Sequence, residues 1–343
     1  MTLAGPSEAR SQDTLDRSAD TRAPLVRRSL SLLPAAAAAA AALGISTVFP
    51  LAGPLLIALV LGGVVANTRL AESSAMADQA DTTKLLLRLG VVLLGLKLPI
   101  QEILAIGPQG IAVVVCTVAT TYFVTLVVGD RLGLDRGFVT LLAAGFATCG
   151  AAAIAAVDDA VRAKQRFVAL AVAMVTVFGS AMIVAVPWVG GLVGMTEQQN
   201  AIWAGASIHE VAQVVAAASA IGAGALAVAT TVKLGRVVLL APMYTIASRR
   251  GEHGRGGGAP IVPWFVVGFG IAVLVRSVGV LPSGCLTVAG AATTFLLAAG
   301  MFGLGMGIRA KDIWPVPLNA FLLALISTLV AATTSLVLVL ILT

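Results

Sequence analysis

A succession of apolar segments, separated by short polar connections, fills the chain from residue 29 to its end. Spanning the hydrocarbon core of a bilayer takes a helix of about 20 residues, and several segments approach that length. Only 11% of the residues are charged, whereas a typical soluble domain has about 25%. The pattern therefore predicts an all-α polytopic membrane protein with about 9 to 11 membrane segments. The segments are 29–49, 51–67, 84–99, 107–129, 137–161, 167–188, 198–222, 225–248, 261–280, 285–307 and 313–342.

The composition divides the chain into two parts. Residues 1–28 are polar, with few bulky apolar side chains, and predict a disordered cytoplasmic tail. Residues 29–343 form the predicted transmembrane domain. The odd number of cysteines, without a CxxC pair, indicates neither a disulfide framework nor a zinc site. The formal charge of +6 is interpreted as an orientation signal, so no nucleic acid partner, metal or cofactor is expected.

Basic residues concentrate in five connections and are absent from 189–200. The positive-inside rule asks that all five lie in the cytoplasm. They do so only if 137–161 and 198–222 are re-entrant hairpins, which leaves nine full spans, an inner amino terminus and an outer carboxyl terminus. An eleven-span alternative keeps the same termini but exports the loop at 162–166. We favour the hairpins. The basic residues are Arg69 with Lys84, Arg131 with Arg136, Arg162 with Lys164 and Arg166, Arg249 with Arg250 and Arg255, and Arg309 with Lys311.

Two pairs of blocks resemble each other at nearly the same offset. Leu89–Ile103 aligns with Ala299–Ile313, and Pro54–Thr68 aligns with Pro263–Ser277. In the charge-derived topology the paired blocks run in opposite directions, as inverted repeats require. The pattern predicts an inverted-repeat secondary-transporter fold, and chance similarity of glycine-rich helices is the alternative.

Two apolar segments are interrupted at matching positions. Segment 137–161 breaks at Thr148, Cys149 and Gly150, and segment 198–222 breaks around Ser207, His209 and Glu210. Non-helical backbone at membrane depth survives only where protein or a water cavity satisfies it. Two such breaks in corresponding halves indicate the central site of a transporter. The second half-helices would present unpaired N–H groups there, and an anion is the natural ligand.

The polar residues of the second break allow structural and functional interpretations. Ser207 and Glu210 have the spacing of a capping box. His209 is either a hydrogen-bonded packing residue or part of a proton relay with Glu210. Gln213 lies one turn further on the same face. His209, Glu210 and Gln213 fall one residue short of the zinc protease signature HExxH, so a zinc enzyme is not predicted.

Lys233 and Arg236 lie within segment 225–248, three residues apart and therefore on one helical face. Charged groups at membrane depth face a partner or a wet cavity. They pair with Glu210 and Asp158 or Asp159 to fix helix packing, or they attract a small anion to the helix breaks. Snorkelling to the interface accounts for polar residues near segment ends: Asn67, Lys97 and Arg276.

With these motifs the sequence resembles the YeiH-type family of bacterial inner-membrane proteins, which carry the label of sulfate exporters. The resemblance is carried by Gly145–Ala156 (GFATCGAAAIAA), Gly205–Ala217 (GASIHEVAQVVAA), Lys233–Pro242 (KLGRVVLLAP) and Pro263–Phe265. The family usually has serine where Ala147 stands, and Thr148 offers the nearest hydroxyl. The resemblance implies a multi-span protein of the bacterial plasma membrane, related to the cation-proton antiporters and bile-acid transporters.

The sequence and the resemblance together predict a secondary transporter, not an enzyme. The passenger is a small anion such as sulfate, sulfite or an organosulfonate, moved outward by alternating access. Glu210 or His209 would couple transport to protons, and a sodium ion is the alternative coupling ion. An intramembrane enzyme or a ligand sensor that uses the same cavity is the alternative, and a homo-oligomer stays open. The predicted substrate-binding residues are Thr148, Cys149, Gly150, Ser207, His209, Glu210, Gln213, Lys233 and Arg236.

Overall fold

A computed structural model describes residues 32–48, 53–73, 79–250, 264–309 and 315–343. Within those ranges the regular elements are helices. The predicted tail at 1–28 lies outside the described residues. In chain order the helices are α1 (Leu32–Val48), α2 (Gly53–Ala66), α3 (Gln79–Leu94), α4 (Ile100–Ala105), α5 (Gly107–Arg131), α6 (Arg136–Ala147), α7 (Ala151–Val161), α8 (Gln165–Val193), α9 (Glu197–Ser207), α10 (Val211–Ile221), α11 (Ala225–Val238), α12 (Leu240–Ser248), α13 (Trp264–Val278), α14 (Ser283–Met306) and α15 (Leu318–Leu342).

Several helices are long enough to cross a bilayer. Five apolar stretches of 24 to 29 residues qualify by length and hydropathy, among them α5, α8, α14 and α15. At about 1.5 Å per residue, each exceeds the roughly 30 Å of hydrocarbon. The fifth stretch, Ala225–Ser248, combines α11 and α12, which separate at Leu239. The all-helical membrane architecture is thereby supported, and the number of segments stays a prediction.

Segment 137–161 is a helical hairpin. It consists of α6 and α7, of 12 and 11 residues, and each arm is about half as long as the hydrocarbon core is thick. The end of α7 lies beside the start of α6. A methyl group built on Gly137 would lie 3.3 Å from side-chain atoms of both Val161 and Ala163. We call this unit hairpin 1 (136–161).

Segment 198–222 folds in the same way. Its arms, α9 and α10, have 11 residues each. The Glu197 side chain at the start of α9 accepts a hydrogen bond of 2.7 Å from the N–H of Gly224, just beyond α10. The two ends of this unit, hairpin 2 (197–221), are therefore adjacent as well.

Helix α8 separates the bases of the two hairpins. It begins at Gln165, directly after hairpin 1, and ends at Val193, directly before hairpin 2. Its 29 residues correspond to roughly 43 Å. The hairpin bases therefore lie at opposite ends of α8, and the hairpins point toward each other.

The first arms of both hairpins are buried inside the protein. In α6 each residue from Phe138 to Ala147 is buried, and in α9 each residue from Asn200 to Ser207 is buried. Protein therefore surrounds the arms that lead into the breaks, as irregular backbone at membrane depth requires.

Helices α3 and α14 pack antiparallel through reciprocal contacts. A methyl group on Gly90 would lie 2.6 Å from Leu297, and one on Gly300 would lie 2.5 Å from Leu87. Leu87 and Leu297 are separated by the same number of residues as Gly90 and Gly300. Small residues at these positions let the helices approach closely.

A second reciprocal pair of contacts extends this pattern. Gly95, after α3, faces the carbonyl of Phe269 in α13, and Gly305 in α14 faces the carbonyl of Leu59 in α2. By these contacts Leu59 corresponds to Phe269, whereas the sequence alignment pairs Leu59 with Gly268. The contacts thus shift the alignment of α2 with α13 by one residue.

Candidate functional site

The break in hairpin 1, Thr148–Gly150, is shaped by backbone geometry. We call it tip 1. The Thr148 hydroxyl donates a hydrogen bond of 2.7 Å to the carbonyl of Ala144, so its proton is bound within α6. Gly150 has φ +72°, a conformation that glycine adopts without steric cost. The chain turns at Gly150, and α7 begins at the next residue.

The break in hairpin 2, Ile208–Glu210, is extended. We call it tip 2. The predicted capping box between Ser207 and Glu210 is wrong: the Ser207 hydroxyl donates 2.7 Å to the carbonyl of Trp203. Instead, the N–H of Glu210 donates 3.1 Å to the side-chain oxygen of Gln213. The box is displaced by one turn because α10 begins only at Val211, which makes Glu210 the N-cap residue.

The two tips meet through the side chain of Glu210. Its Oε1 accepts a hydrogen bond of 2.7 Å from the N–H of Ala151, the first residue of α7. Gly150 leaves the space for this carboxylate, since a Cβ there would clash with it. A helix amino terminus carries unpaired N–H groups and a partial positive charge. The predicted anion position at the start of α7 is therefore filled by a carboxylate of the protein itself.

Lys233 joins the two tips on the side of α11. Its ammonium donates 2.6 Å to the carbonyl of Thr148 and 2.7 Å to the carbonyl of Ile208. The side chain is fully buried. One cation therefore satisfies a backbone acceptor in each break.

Arg236 repeats this arrangement one turn further along α11. Its guanidinium donates to the carbonyls of Phe146 and Ala147 in hairpin 1, at 2.7 and 3.1 Å. It also donates to the carbonyls of Ala206 and Ile208 in hairpin 2, at 2.6 and 3.0 Å. The last carbonyls of a helix lack intrahelical partners and carry partial negative charge. Arg236 thus binds the ends of both first arms.

These contacts distinguish between the interpretations of the buried cations. The hydrogen bonds described for Lys233 and Arg236 go to backbone carbonyls. Asp158, one of the predicted acidic partners, is instead 2.9 Å from Lys84. The side chain of Asp159 lies outside the described residues. The cations therefore fix the helix packing through backbone carbonyls, and Asp158 pairs with Lys84 instead.

His209 and Gln213 attach tip 2 to neighbouring helices. His209 Nε2 lies 3.3 Å from the Thr328 hydroxyl of α15, and its ring packs edge-on against Phe146 at 4.5 Å. The Gln213 amide donates 3.3 Å to the carbonyl of Thr176 in α8. Both side chains are buried. Within the searched part of the chain, no three His, Cys, Asp or Glu side chains come together as a metal site.

A cavity of about 260 Å³ lies beside the tips, and we call it the tip cavity. Of the predicted site residues, Cys149 and Glu210 line it. Thr148, Gly150 and the remaining ones surround the breaks instead. Residues that were not assigned to the site from the sequence line it as well: Lys97 after α3, and Thr293 and Thr294 in α14. Lys97 was interpreted as snorkelling, although it lies within a repeated block.

Comparisons with known proteins place the chain in one family. A family model described as conserved hypothetical protein 698 matches residues 28–324. A UPF0324 membrane protein of Corynebacterium glutamicum is 41% identical over 280 residues, 80% of this chain and 81% of the relative. Another from Pseudomonas aeruginosa is 37% identical over 290 residues, 79% of this chain and 81% of the relative.

More distant relatives carry the same description. A UPF0324 membrane protein of Bacteroides thetaiotaomicron is 32% identical over 286 residues, 80% of this chain and 85% of the relative. No solved structure matches significantly. The apolar helices and the relatives support a multi-pass membrane protein. The chain belongs to the UPF0324 family of membrane proteins, which is the YeiH-type family indicated by its motifs.

Proposed function

We propose that this protein is a secondary transporter that moves a small anion by alternating access, with the tip cavity as its binding site. The observation that carries the proposal is the hydrogen bond between Glu210 and the N–H of Ala151, across two helix breaks. It indicates that the start of α7 accommodates a negative charge. Loss of this contact would let the two tips separate and admit the passenger to the tip cavity.

The hairpin geometry supports re-entry from opposite sides of the membrane. Each hairpin has adjacent ends and arms of half-membrane length, and α8 separates the two bases. Crossing the membrane once would require the ends of each segment to lie on opposite surfaces, which their contacts disfavour. The arrangement corresponds to nine full spans, with both tips near the middle of the bilayer.

The contacts of α3 with α14 support the inverted repeat. The two helices carry matching sequence blocks, yet they pack antiparallel through reciprocal contacts of Leu87 with Gly300 and of Gly90 with Leu297. Equivalent elements of inverted repeats run in opposite directions, as these do. Transporters with this symmetry alternate between two states by rocking or gating one repeat against the other around a fixed site.

The distribution of basic residues supports an orientation. Arg136, Arg162, Lys164, Arg249 and Arg250 line one recess at the base of hairpin 1. The positive-inside rule assigns such a surface to the cytoplasm. Hairpin 1 would then enter from the cytoplasmic side, and hairpin 2 from the outer side.

Glu210 also offers a way to couple transport to protons. A protonated carboxyl group binds the N–H of Ala151 less strongly than a carboxylate, since charge-assisted hydrogen bonds are roughly twice as strong. Protonation would therefore weaken the contact between the two tips and open the tip cavity to the passenger. One proton would travel with the anion, and its release would restore the contact between Glu210 and Ala151.

Flux measurements with purified protein in liposomes test this proposal. The panel contains radiolabelled sulfate, sulfite and short organosulfonates, each with and without a pH gradient. We expect a pH gradient to drive accumulation by the parent protein. Glu210→Gln should lose this dependence but retain exchange of anion for anion. Glu102→Gln, at an exposed glutamate outside the cavity lining, is the matched control. Absence of protein-dependent flux of every anion, or an unchanged pH response in Glu210→Gln, would contradict the proposal.

A further inference from the structure

The lining of the tip cavity is mostly aliphatic. Among its charged groups are Lys97 and Glu210, and its neutral polar side chains include Cys149, Thr293 and Thr294. A buried bare oxyanion requires several donors or cations to replace its hydration. This wall offers few of them and instead presents apolar surface to a ligand. The larger apolar side chains include Leu87, Val91, Leu94, Val211, Val237 and Leu297.

Lys97 is positioned to bind the charged end of a ligand. It ends the 3-10 turn Gly95–Lys97 that follows α3, and its ammonium lies about 4.0 Å from where a Gly290 methyl group would be. Thr294, one turn further along α14, lines the same wall. No hydrogen bond or ion pair of Lys97 with another described residue is present. The ammonium is therefore available to an incoming anion.

The two charged groups differ in exposure. Lys97 is exposed, which places it at the open end of the cavity, whereas Glu210 is buried. When Glu210 is protonated, these two groups together contribute a single positive charge. A monoanionic head matches that charge at Lys97. The second charge of a dianion such as sulfate would lie against apolar side chains, which is costly. Lys233 and Arg236 lie outside the lining and donate to backbone carbonyls of the hairpins.

The volume limits the size of the ligand. The cavity volume of about 260 Å³ equals the volume that roughly nine water molecules take up in the liquid, at ~30 Å³ each. That space accommodates a short aliphatic body in addition to an anionic head. A long chain would have to extend past Lys97 or displace the lining.

From this lining, we infer that the passenger is an organic monoanion with an aliphatic body, whose sulfonate or carboxylate head binds Lys97. The body packs between α3, α14 and the two tips. The inference rests on the proposed function and narrows its substrate class, since inorganic sulfate does not match the cavity. Each added methylene group should raise affinity about fourfold until the cavity is full.

A homologous series tests the inference in the same liposomes. Ethane-, butane-, hexane- and decanesulfonate compete with the labelled anion that gives the highest flux, beside sulfate and the neutral sulfonamide of each chain. We expect inhibition to strengthen from ethane- to hexanesulfonate and to level off or fall with decanesulfonate. Sulfate and the sulfonamides should compete weakly. Flux of sulfate without any effect of chain length would overturn the inference while leaving anion transport intact. Absence of all anion flux would instead contradict the proposed function.

Variants of Lys97 test the position of the head. Lys97→Gln should weaken hexanesulfonate inhibition about tenfold. That factor corresponds to the ~1.4 kcal/mol that one hydrogen bond to a charged group contributes. It should leave the sulfonamide unchanged. Lys97→Arg keeps the charge and should retain most of the inhibition, which shows that the variant site folds. Lys164→Gln, at the base of hairpin 1, is the matched control. Equal losses for sulfonate and sulfonamide in Lys97→Gln would overturn the assignment of Lys97.

Discussion

Lys84 on α3 and Asp158 on α7 form an ion pair with an N–O distance of 2.9 Å, which ties hairpin 1 to the pair of helices α3 and α14. The second Asp158 oxygen accepts 3.2 Å from the N–H of Ala163. A cavity of about 210 Å³ borders this pair, toward the base of hairpin 1. The tip cavity lies along the same helices, toward the hairpin tips. We therefore expect this ion pair to close the groove between α3 and α7 at the end that faces the base of hairpin 1.

Breaking this ion pair should open the groove from the base of hairpin 1. Asparagine at position 158 removes the carboxylate that faces the partly buried Lys84 ammonium, so the attraction that holds α3 against α7 is weakened. In a background without the native cysteines, Ala155→Cys reports on the bordering cavity. We expect Asp158→Asn to speed its labelling by an impermeant maleimide about tenfold, equivalent to ~1.4 kcal/mol.

A charge exchange provides the control for that experiment. Lys84→Asp combined with Asp158→Lys should return the labelling rate toward that of the parent, because the pair is restored with its signs reversed. Equal labelling rates in the parent background and in Asp158→Asn would show that the pair does not close the groove.

The breaks could be predicted from the sequence because they carry local signals. Glycine and polar residues interrupt two long apolar segments, and the predicted bounds 137–161 and 198–222 lie within one residue of the helices found. The sequence alignment of the α3 block with the α14 block agrees with the reciprocal contacts of Gly90 and Gly300. The sequence alignment of α2 with α13 differs by one residue from the correspondence that the contacts give, because those two blocks share few identical residues.

The partners of the site residues could not be predicted in the same way. Lys233 and Arg236 were placed on one buried face, but their acceptors are backbone carbonyls, which every residue possesses and no sequence pattern marks. The contact of Glu210 with Ala151 depends on how two distant hairpins meet. Lys97 lies near the end of an apolar segment, where an interfacial lysine is ordinary. The packing of α3 on α14 places it beside the tip cavity.

Replacing Arg236 with lysine should destabilise the protein despite preserving the charge. The planar guanidinium supplies four hydrogen bonds to two helix ends, and a single ammonium cannot reproduce that geometry. Buried carbonyls left without a donor cost about 1 to 3 kcal/mol each. We expect the thermal unfolding midpoint in detergent to fall by about 5 °C or more.

Arg250→Lys is the matched control for this measurement. Arg250 contacts Asp130 at 2.7 Å, but both side chains are partly exposed, at 29% and 42%. Exposed pairs contribute about 0 to 1 kcal/mol, so the midpoint should barely change. Similar midpoints for Arg236→Lys and the parent would mean that Lys233 alone suffices to hold the arms together.

Cys149 should report on occupancy of the tip cavity. It lines the cavity and is buried, whereas Cys116 and Cys285 are exposed on other helices. A permeant maleimide that reaches Cys149 should block flux, and a bound anion should slow this reaction. At about ten times the dissociation constant, simple mass action predicts about tenfold protection. Mass spectrometry of the labelled peptides measures protection at each cysteine separately.

Cys116 and Cys285 should react at the same rate with and without the anion, and Cys149→Ser should transport in the presence of the reagent. Equal labelling of Cys149 with and without a transported anion would place the binding site elsewhere in the protein.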